Sequence, residues 1–346
     1  MDQIGARELA GRLERFPRCR LAHTPTPLEQ MPRLSAHLSC VELFVKRDDC
    51  TGLGFGGNKV RQLEFYFGQA QQAGADTVLI TGAVQSNFVR ATAAAACRLG
   101  MACHIQLEER VPDVDGLYRS SGNVLLNQVF GATLHSYPQG EDEAGADARL
   151  GVIAEQLRQS GSRPYIIPLG PGHDPLGALG YVDAATELTG QLEQRGVQFD
   201  HIVVTSGSGA THAGLLFGLR ALGNRTIVIG VCPRRDADRQ RRRIAAHAQK
   251  LSRMLDVDPR ITAEEIRLTD VTLAPGYGRL NAATIEALQT TARCEGLLLD
   301  PVYTAKAMAG LFHMAREGEL SGRVLFWHTG GEPALFGYGR AVLARD

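Results

Sequence analysis

The sequence predicts an α/β fold, in which open, parallel-rich, twisted sheets are wrapped by helices. Short apolar runs, such as 41–47 and 202–204, alternate with stretches whose apolar residues recur at helical spacing. Most glycine-rich or polar loops follow a strand and precede a helix. Of the 346 residues, 44% are apolar, enough for a sizeable core in one large domain or two modest ones.

Residues 1–40 read as an irregular lead-in, because Pro25, Pro27 and Pro32 break any long helix. Residues 41–47 read as a strand that delivers the chain to Asp48, Asp49 and a glycine turn. Val60, Leu63, Phe67 and Ala70 then recur at helical spacing until Gly74. A strand is expected over 77–81, an alanine-rich helix up to Leu99, and a strand over 102–107. Helices are expected over 122–130 and 146–159, and a buried strand over 165–168. The loop 169–175 leads to a helix from about Leu176. Strand 201–205, loop 206–210 and helix 211–222 follow, then strand 226–232 and a long polar helix over 236–256. The loop 274–281 precedes another helix, and Asp300-Pro301-Val302-Tyr303 precedes a helix to about Arg316. The last strand is expected over 324–327 and the last loop over 328–331. In an open α/β sheet such loops share the carboxyl edge of the strands, where ligands bind. The segments 85–87, 206–211, 303–304 and 329–331 can therefore converge.

Composition narrows the function classes. Lys+Arg and Asp+Glu both count 37, so no basic excess argues for nucleic acid or an anionic membrane surface. The one basic run, 234–243, contains Asp236 and Asp238 and reads as a solvated helix start. No apolar run has the length of a membrane span, and the first residues lack a signal-peptide core. The seven cysteines are odd in number and unpaired by motif, which points to reduced thiols and a cytoplasmic enzyme. Cys103-His104 has no further ligand spacing around it, so no metal site is expected.

The chemistry is concentrated in a few loops. Four glycines fall among the six residues 52–57, and Asn58 and Lys59 follow where the helical pattern starts. Such a turn lets a bulky planar ligand lie against the main chain. A lysine near the positive end of a helix dipole is favoured in the neutral form that Schiff-base chemistry needs. Pyridoxal phosphate on Lys59 is the resulting hypothesis, although on spacing alone a solvated surface lysine is commoner. Ser206-Gly207-Ser208-Gly209-Ala210-Thr211 supports it. Its small residues let backbone N–H groups face one phosphate at a helix N-terminus, and the hydroxyls of Ser206, Ser208 and Thr211 can add hydrogen bonds. The loop lacks the Lys-Ser/Thr ending of an ATP-binding P-loop, and a tight turn with glycines for packing is its alternative. Gln85-Ser86-Asn87 reads both as a helix cap and as a seat for a substrate carboxylate. Tyr277 and Tyr303 lie in loops beside Gly and Pro. A hydroxyl there either packs at the surface in water or, near Lys59, positions a substrate or moves a proton. His173, His212 and His328 show no metal spacing and receive no catalytic role.

Five motifs occur in order: Gly-Gly-Asn-Lys-Val-Arg at 56–61, Gln-Ser-Asn at 85–87, Ser-Gly-Ser-Gly-x-Thr-His-Ala-Gly at 206–214, Asp-Pro-Val-Tyr at 300–303 and His-Thr-Gly-Gly-x-Pro-Ala-Leu at 328–335. From about Leu21 to Tyr338 the chain resembles the D-cysteine desulfhydrase / aminocyclopropane-carboxylate deaminase family. The resemblance implies the tryptophan-synthase-β-like, type II fold of pyridoxal-phosphate enzymes. It implies a small domain over 58–165 and a large one from 1–57 and 166–346. It makes Lys59 the Schiff-base lysine and the base at Cα, with Asn58 beside the cofactor. Asn87 would bond the cofactor's phenolic oxygen, and backbone N–H groups from Gly207 to Thr211 would hold its phosphate. Ser86 would contact the substrate carboxylate or reacting atoms, within a substrate turn formed by Gln85, Ser86, Asn87 and Phe88. Tyr277 and Tyr303 would flank a small amino-acid substrate. The family usually forms homodimers.

Two positions separate the family's reactions. The deaminases carry Glu after the Asp-Pro-Val-Tyr tyrosine, paired with the cofactor's pyridine nitrogen, and Leu in the last motif. This chain has Thr304 and Thr329. A hydroxyl leaves the ring nitrogen neutral and the electron sink weaker, which suffices to expel a thiol but not to open a cyclopropane. The expected function is therefore β-elimination from D-cysteine or a close β-substituted alanine. L-Cysteate sulfo-lyase stands next, then the deaminase, then a racemase or dehydratase. A cofactor-binding sensor and a dinucleotide oxidoreductase are the rivals from other classes. The latter is disfavoured because strand 226–232 ends in Cys-Pro-Arg-Arg and not in an acidic residue. Phe88 departs from the histidine of many desulfhydrase-like members, and Gly170-Pro171-Gly172-His173-Asp174 departs from the family's Gly-Gly-Ser/Ala-rich stretch. Phe88 either points into the core or changes the substrate wall.

Overall fold

The computed structural model describes residues 3–170 and 172–343, so Pro171 of the unusual 170–174 stretch lies outside the described residues. Its strands are β1 (Leu28–Gln30), β2 (Val41–Arg47), β3 (Thr77–Ala83), β4 (Ala102–Glu108), β5 (Thr133–Tyr137), β6 (Pro164–Ile166), β7 (His201–Thr205), β8 (Ile227–Val231), β9 (Arg267–Thr269) and β10 (Gly322–His328). They form a six-stranded sheet in the order β1-β2-β10-β7-β8-β9 and a four-stranded sheet in the order β5-β4-β3-β6. Pairing is parallel throughout except between β1 and β2. Every residue of β3 is buried, as a central parallel strand covered on both faces must be.

The lead-in is more regular than expected. It holds helices Ala6–Leu13 and Pro32–Leu38 as well as β1. Pro32 opens its helix and does not break one, because a first-turn N–H has no intrahelical partner to lose. Strands β5 and β9, which the sequence did not reveal, are sheet edges whose residues are half-buried or exposed, so they carry little apolar signal.

A buried ionic network joins the large sheet to the helix Asn58–Gln72. Asp48 follows β2, and its carboxylate receives Arg61 Nη2 at 2.9 Å and Nε at 3.0 Å. Tyr181 (2.5 Å), Trp327 Nε1 (2.9 Å) and Thr26 (2.9 Å) donate to the same carboxylate. Arg61 also reaches Glu187 at 2.9 Å, and Lys46 meets Glu187 at 2.5 Å. Burial pushes the Asp48 carboxyl upward, but Arg61 and its other donors hold it below the usual range. Removing one partner of such a pair strands a charge out of water. Arg61→Ala is expected to lose about 3–5 kcal/mol of stability in chemical denaturation. A loss under about 1 kcal/mol, the value of an exposed pair, would contradict this account of the network.

Candidate active site

A cleft lies where the carboxyl ends of β3 and β4 face those of β7 and β10, with about 1030 Å³ of space, its mouth included. Of the residues singled out from sequence, Asn58, Lys59, Ser86, Asn87, Phe88, Gly207, Ser208, Gly209, Thr211, Tyr277, Tyr303 and Thr329 line it. Gln85, Ser206, Ala210 and Thr304 do not.

Lys59 is placed by its turn. Gly57 has φ +102°, and Gly57 and Gly330 approach so closely that a Cβ on Gly330 would lie 2.6 Å from Gly57 Cα. Asn58 N–H donates to Thr329 O at 2.9 Å, and Asn58 Nδ2 donates to Thr211 Oγ1 at 2.9 Å. Arg90 reaches across to the carbonyls of Gly54 and Gly56. The half-buried Lys59 then lies with Nζ 4.9 Å from the Phe88 ring centroid and 3.4 Å from Gln62 Oε1. Desolvation alone pulls the amine down from its ordinary 10.5 to about 8.

The loop after β7 ends in the helix Ala210–Ala221, whose N-terminus has no side-chain cap. Among the described residues, the backbone N–H groups of Gly207, Ser208, Gly209 and Ala210 meet no protein acceptor. The loop carbonyls are bonded: Arg235 donates to Gly207 O at 3.2 Å and Arg243 to Ser208 O at 2.7 Å. Ser206 is turned beneath the loop, where Gln240 Nε2 (2.9 Å) and His212 Nδ1 (3.1 Å) bond its hydroxyl. Arg234, Arg235 and Arg243 line the cleft, which corrects the solvated reading of the basic run. Glu143, across the cleft, pairs with Arg234 at 2.9 Å and Arg235 at 2.5 Å, and that draws the arginines inward.

On the facing wall, Ser86 caps the helix Asn87–Arg98 by accepting from Phe88 N (3.2 Å) and Val89 N (3.5 Å). Its own hydroxyl proton stays available to the cleft. Phe88 faces the cleft beside Lys59, so its apolar ring does form part of the wall. Gln85, expected at the substrate, instead donates to Ser121 O at 2.9 Å and to Tyr118 O, and accepts from Asn123 N at 2.9 Å. Thr304, expected at the ring nitrogen, is claimed by Asp300: its hydroxyl accepts from Asp300 N at 2.7 Å and donates to Oδ1 at 3.2 Å. The Tyr277 and Tyr303 hydroxyls are 2.7 Å apart. Burial pushes both above the usual phenol range, so both stay protonated near neutral pH.

Sequence reasoning missed Arg90, Asn123, Arg110 and Glu143. Arg90 left a signal, an arginine in the first turn of an alanine-rich helix. Asp49, His328 and Glu332 bring possible metal-ligand atoms within 4.8 Å of one another. Both His328 nitrogens are engaged, however, by Gly330 N at 3.1 Å and Leu298 O at 3.0 Å.

The lowered Lys59 value has a testable sign. Between about 8 and 10.5 the unfolded chain keeps a proton on Lys59 that the folded chain has lost, so stability rises with pH. Cofactor-free protein is expected to show this rise in its unfolding free energy, and Lys59→Met to show a smaller one. Equal slopes for the two proteins would mean that Lys59 is not desolvated.

The profile described as "Pyridoxal-phosphate dependent enzyme" matches residues 19–330. A D-cysteine desulfhydrase of Klebsiella pneumoniae subsp. pneumoniae is 44% identical over 328 residues, 94% of this chain and 97% of the relative. The crystal structure of an ACC deaminase homologue superposes with TM-score 0.86 at 35% identity, covering 97% of this chain and 98% of the other. A threonine deaminase from T.th. superposes with TM-score 0.65 at 19% identity, covering 95% and 98%, and shares the fold. The residues fit the cofactor that the family name carries: unfilled N–H donors at a helix N-terminus suit a phosphate, and a desolvated lysine suits an aldehyde. The chain belongs to the pyridoxal-phosphate dependent enzymes, with their type II α/β fold and pyridoxal phosphate as its cofactor.

Proposed function

We propose that this chain is a carbon–sulfur lyase that converts D-cysteine and water to pyruvate, sulfide and ammonia. The observation that carries the reading is the 44% identity, over 94% of the chain, to a D-cysteine desulfhydrase. Bound in the cleft, pyridoxal phosphate supplies an electron sink for negative charge at the substrate's Cα. Gly207 to Thr211 hold the phosphate through backbone N–H groups, and Asn87 donates to the phenolic oxygen. Ser86 and the N-terminus of its helix hold the substrate carboxylate. Neutral Lys59 takes the Cα proton, helped by a value already drawn down to about 8. The protonated Tyr277–Tyr303 pair supplies a proton to the departing sulfur. Thr329 on the cleft wall, where the deaminases carry Leu, supports elimination over ring opening.

A second reading, loss of sulfite from L-cysteate, is favoured by two cleft arginines near the tyrosine pair. Arg234 Cζ lies 5.9 Å from the Tyr277 ring centroid, and Arg110 also lines the cleft. The same experiment separates the two. Purified enzyme is expected to release pyruvate with sulfide from D-cysteine, and Lys59→Ala to lose at least about a thousandfold of that rate. Sulfite release from L-cysteate without turnover of D-cysteine would replace the first reading by the second. Formation of 2-oxobutanoate from 1-aminocyclopropane-1-carboxylate would overturn both.

The same reading takes residues 58–165 as a small domain around the four-stranded sheet and the remainder as a large one. It places the enzyme in the cytoplasm, in keeping with seven free cysteines; no helix among the described residues is long and apolar enough to cross a membrane. It also makes the enzyme a homodimer. Phe55 (60% exposed), Val129 (70%) and Phe336 (61%) leave large apolar side chains in water. They sit on neighbouring segments, since Gly54 packs on Phe130 and Gly122 on Pro333. Sedimentation should give a dimer that Phe336→Glu weakens. A wild-type monomer at enzyme concentrations well above those of the assay would rule the dimer out.

A further inference from the structure

The hydrogen bonds behind Asn87 form a chain with one possible direction. Arg90 Nε donates to Asn123 Oδ1 at 3.2 Å. Asn123 Nδ2 donates to Asn87 Oδ1 at 2.8 Å and to Gln85 O at 3.0 Å. Asn87 Nδ2 in turn points to Asp300 Oδ2 at 3.4 Å. A side-chain amide can in principle flip, exchanging donor and acceptor. Here the first link cannot reverse, because a guanidinium only donates. Asn123 must therefore offer its oxygen to Arg90 and its NH₂ to Asn87. Asn87 must then accept with its oxygen, which leaves its NH₂ on the Asp300 side.

Arg90 is 1% exposed and Asn123 0%, so no water competes for these bonds. Asn123 is held from its backbone as well, since its N–H donates to Gln85 Oε1 at 2.9 Å. Neither Arg90 nor Asn123 lines the cleft; Asn87 does. The Asn87 NH₂ has two hydrogens, and Asp300 uses one of them.

We propose that Asn123, oriented by Arg90, is a positioning residue that locks the Asn87 amide so that it presents a hydrogen-bond donor, and never an acceptor, to the ring oxygen of the bound cofactor. This rests on the proposed contact between Asn87 and that oxygen. A donor there stabilises the ionised oxygen. The cofactor's visible band reports that ionisation directly, whatever happens to turnover.

The test uses the holoenzyme and the pH midpoint of its visible band. Asn123→Asp keeps an acceptor for Arg90 but sets a carboxylate oxygen against Asn87 Oδ1. The midpoint is expected to rise by about one unit or more, in the same direction as in Asn87→Ala. Because Asn123 acts through Asn87, the double variant Asn87→Ala/Asn123→Asp should match Asn87→Ala alone. Asn123→Ser, too short to reach Asn87, should behave as Asn123→Asp does and serves if the aspartate variant fails to fold. Asn127→Ala, on the same short helix and away from the cleft, should leave the midpoint alone. A wild-type midpoint in both Asn123 variants, or additive shifts in the double variant, would overturn the proposal. A wild-type midpoint in Asn87→Ala would instead show that Asn87 does not touch the ring oxygen, and the proposal would fall with it.

Discussion

The buried pair of Asp48 and Arg61 is the constraint on which the site depends. Asp48 follows the strand that enters the glycine turn, and Arg61 lies one turn into the helix that leaves it. Their contact closes the turn from behind, and Asp48 O accepts from Gly57 N at 3.0 Å to close it along the backbone. The backbone of Lys59 lies between these anchors, which places the residue on the cleft wall. Such a pair is costly to desolvate, and its value here is geometric: with Arg61, Tyr181, Trp327 and Thr26 all donating to one carboxylate, the register of strand and helix admits no alternative.

The lysine's chemistry follows from what does not surround it. The lowering of its pKa has one cause, desolvation, with no carboxylate among the described residues contributing to restore the charge. Two acids of the cleft, Glu108 and Glu143, are held by arginines. Glu108 pairs with Arg110 at 2.7 Å, and Glu143 faces three arginines. Phe88 sets an aromatic ring face 4.9 Å from the amine. The loop after β7 is arranged differently, with its carbonyls bonded by Arg235 and Arg243 and the amides of Gly207 to Ala210 left without a protein acceptor among the described residues.

Much of this was legible because the relevant chemistry is local in sequence. Lys59 follows its own glycine turn, and Gly207 to Gly209 follow their own strand, so residue type and position suffice to place both at the cleft. The wrapped parallel sheets were readable for a similar reason, as central strands such as β3 are wholly buried. What failed depends on contacts made at a distance. Gln85 and Thr304 have the right chemistry for a site, but Tyr118, Ser121 and Asp300 capture their side chains. A run of arginines does not disclose which of its members face Glu143 across a cleft. Asn123 acts through a neighbour 36 positions away in sequence, and no local pattern marks such a residue.

The central claim is that Lys59 is the lysine that holds the cofactor. The chain has four lysines: Lys46, Lys59, Lys250 and Lys306. Acidity does not single one out, because burial also draws Lys306 down to about 8. Geometry does: Lys306 Nζ is spent on Leu273 O at 3.0 Å and Gly276 O at 2.8 Å, and Lys306 does not line the cleft. Borohydride reduction of the holoenzyme, followed by peptide mass mapping, fixes the cofactor to whichever lysine carries it. The account predicts the label on the peptide containing Lys59 and on no other. Label on Lys306 would contradict it.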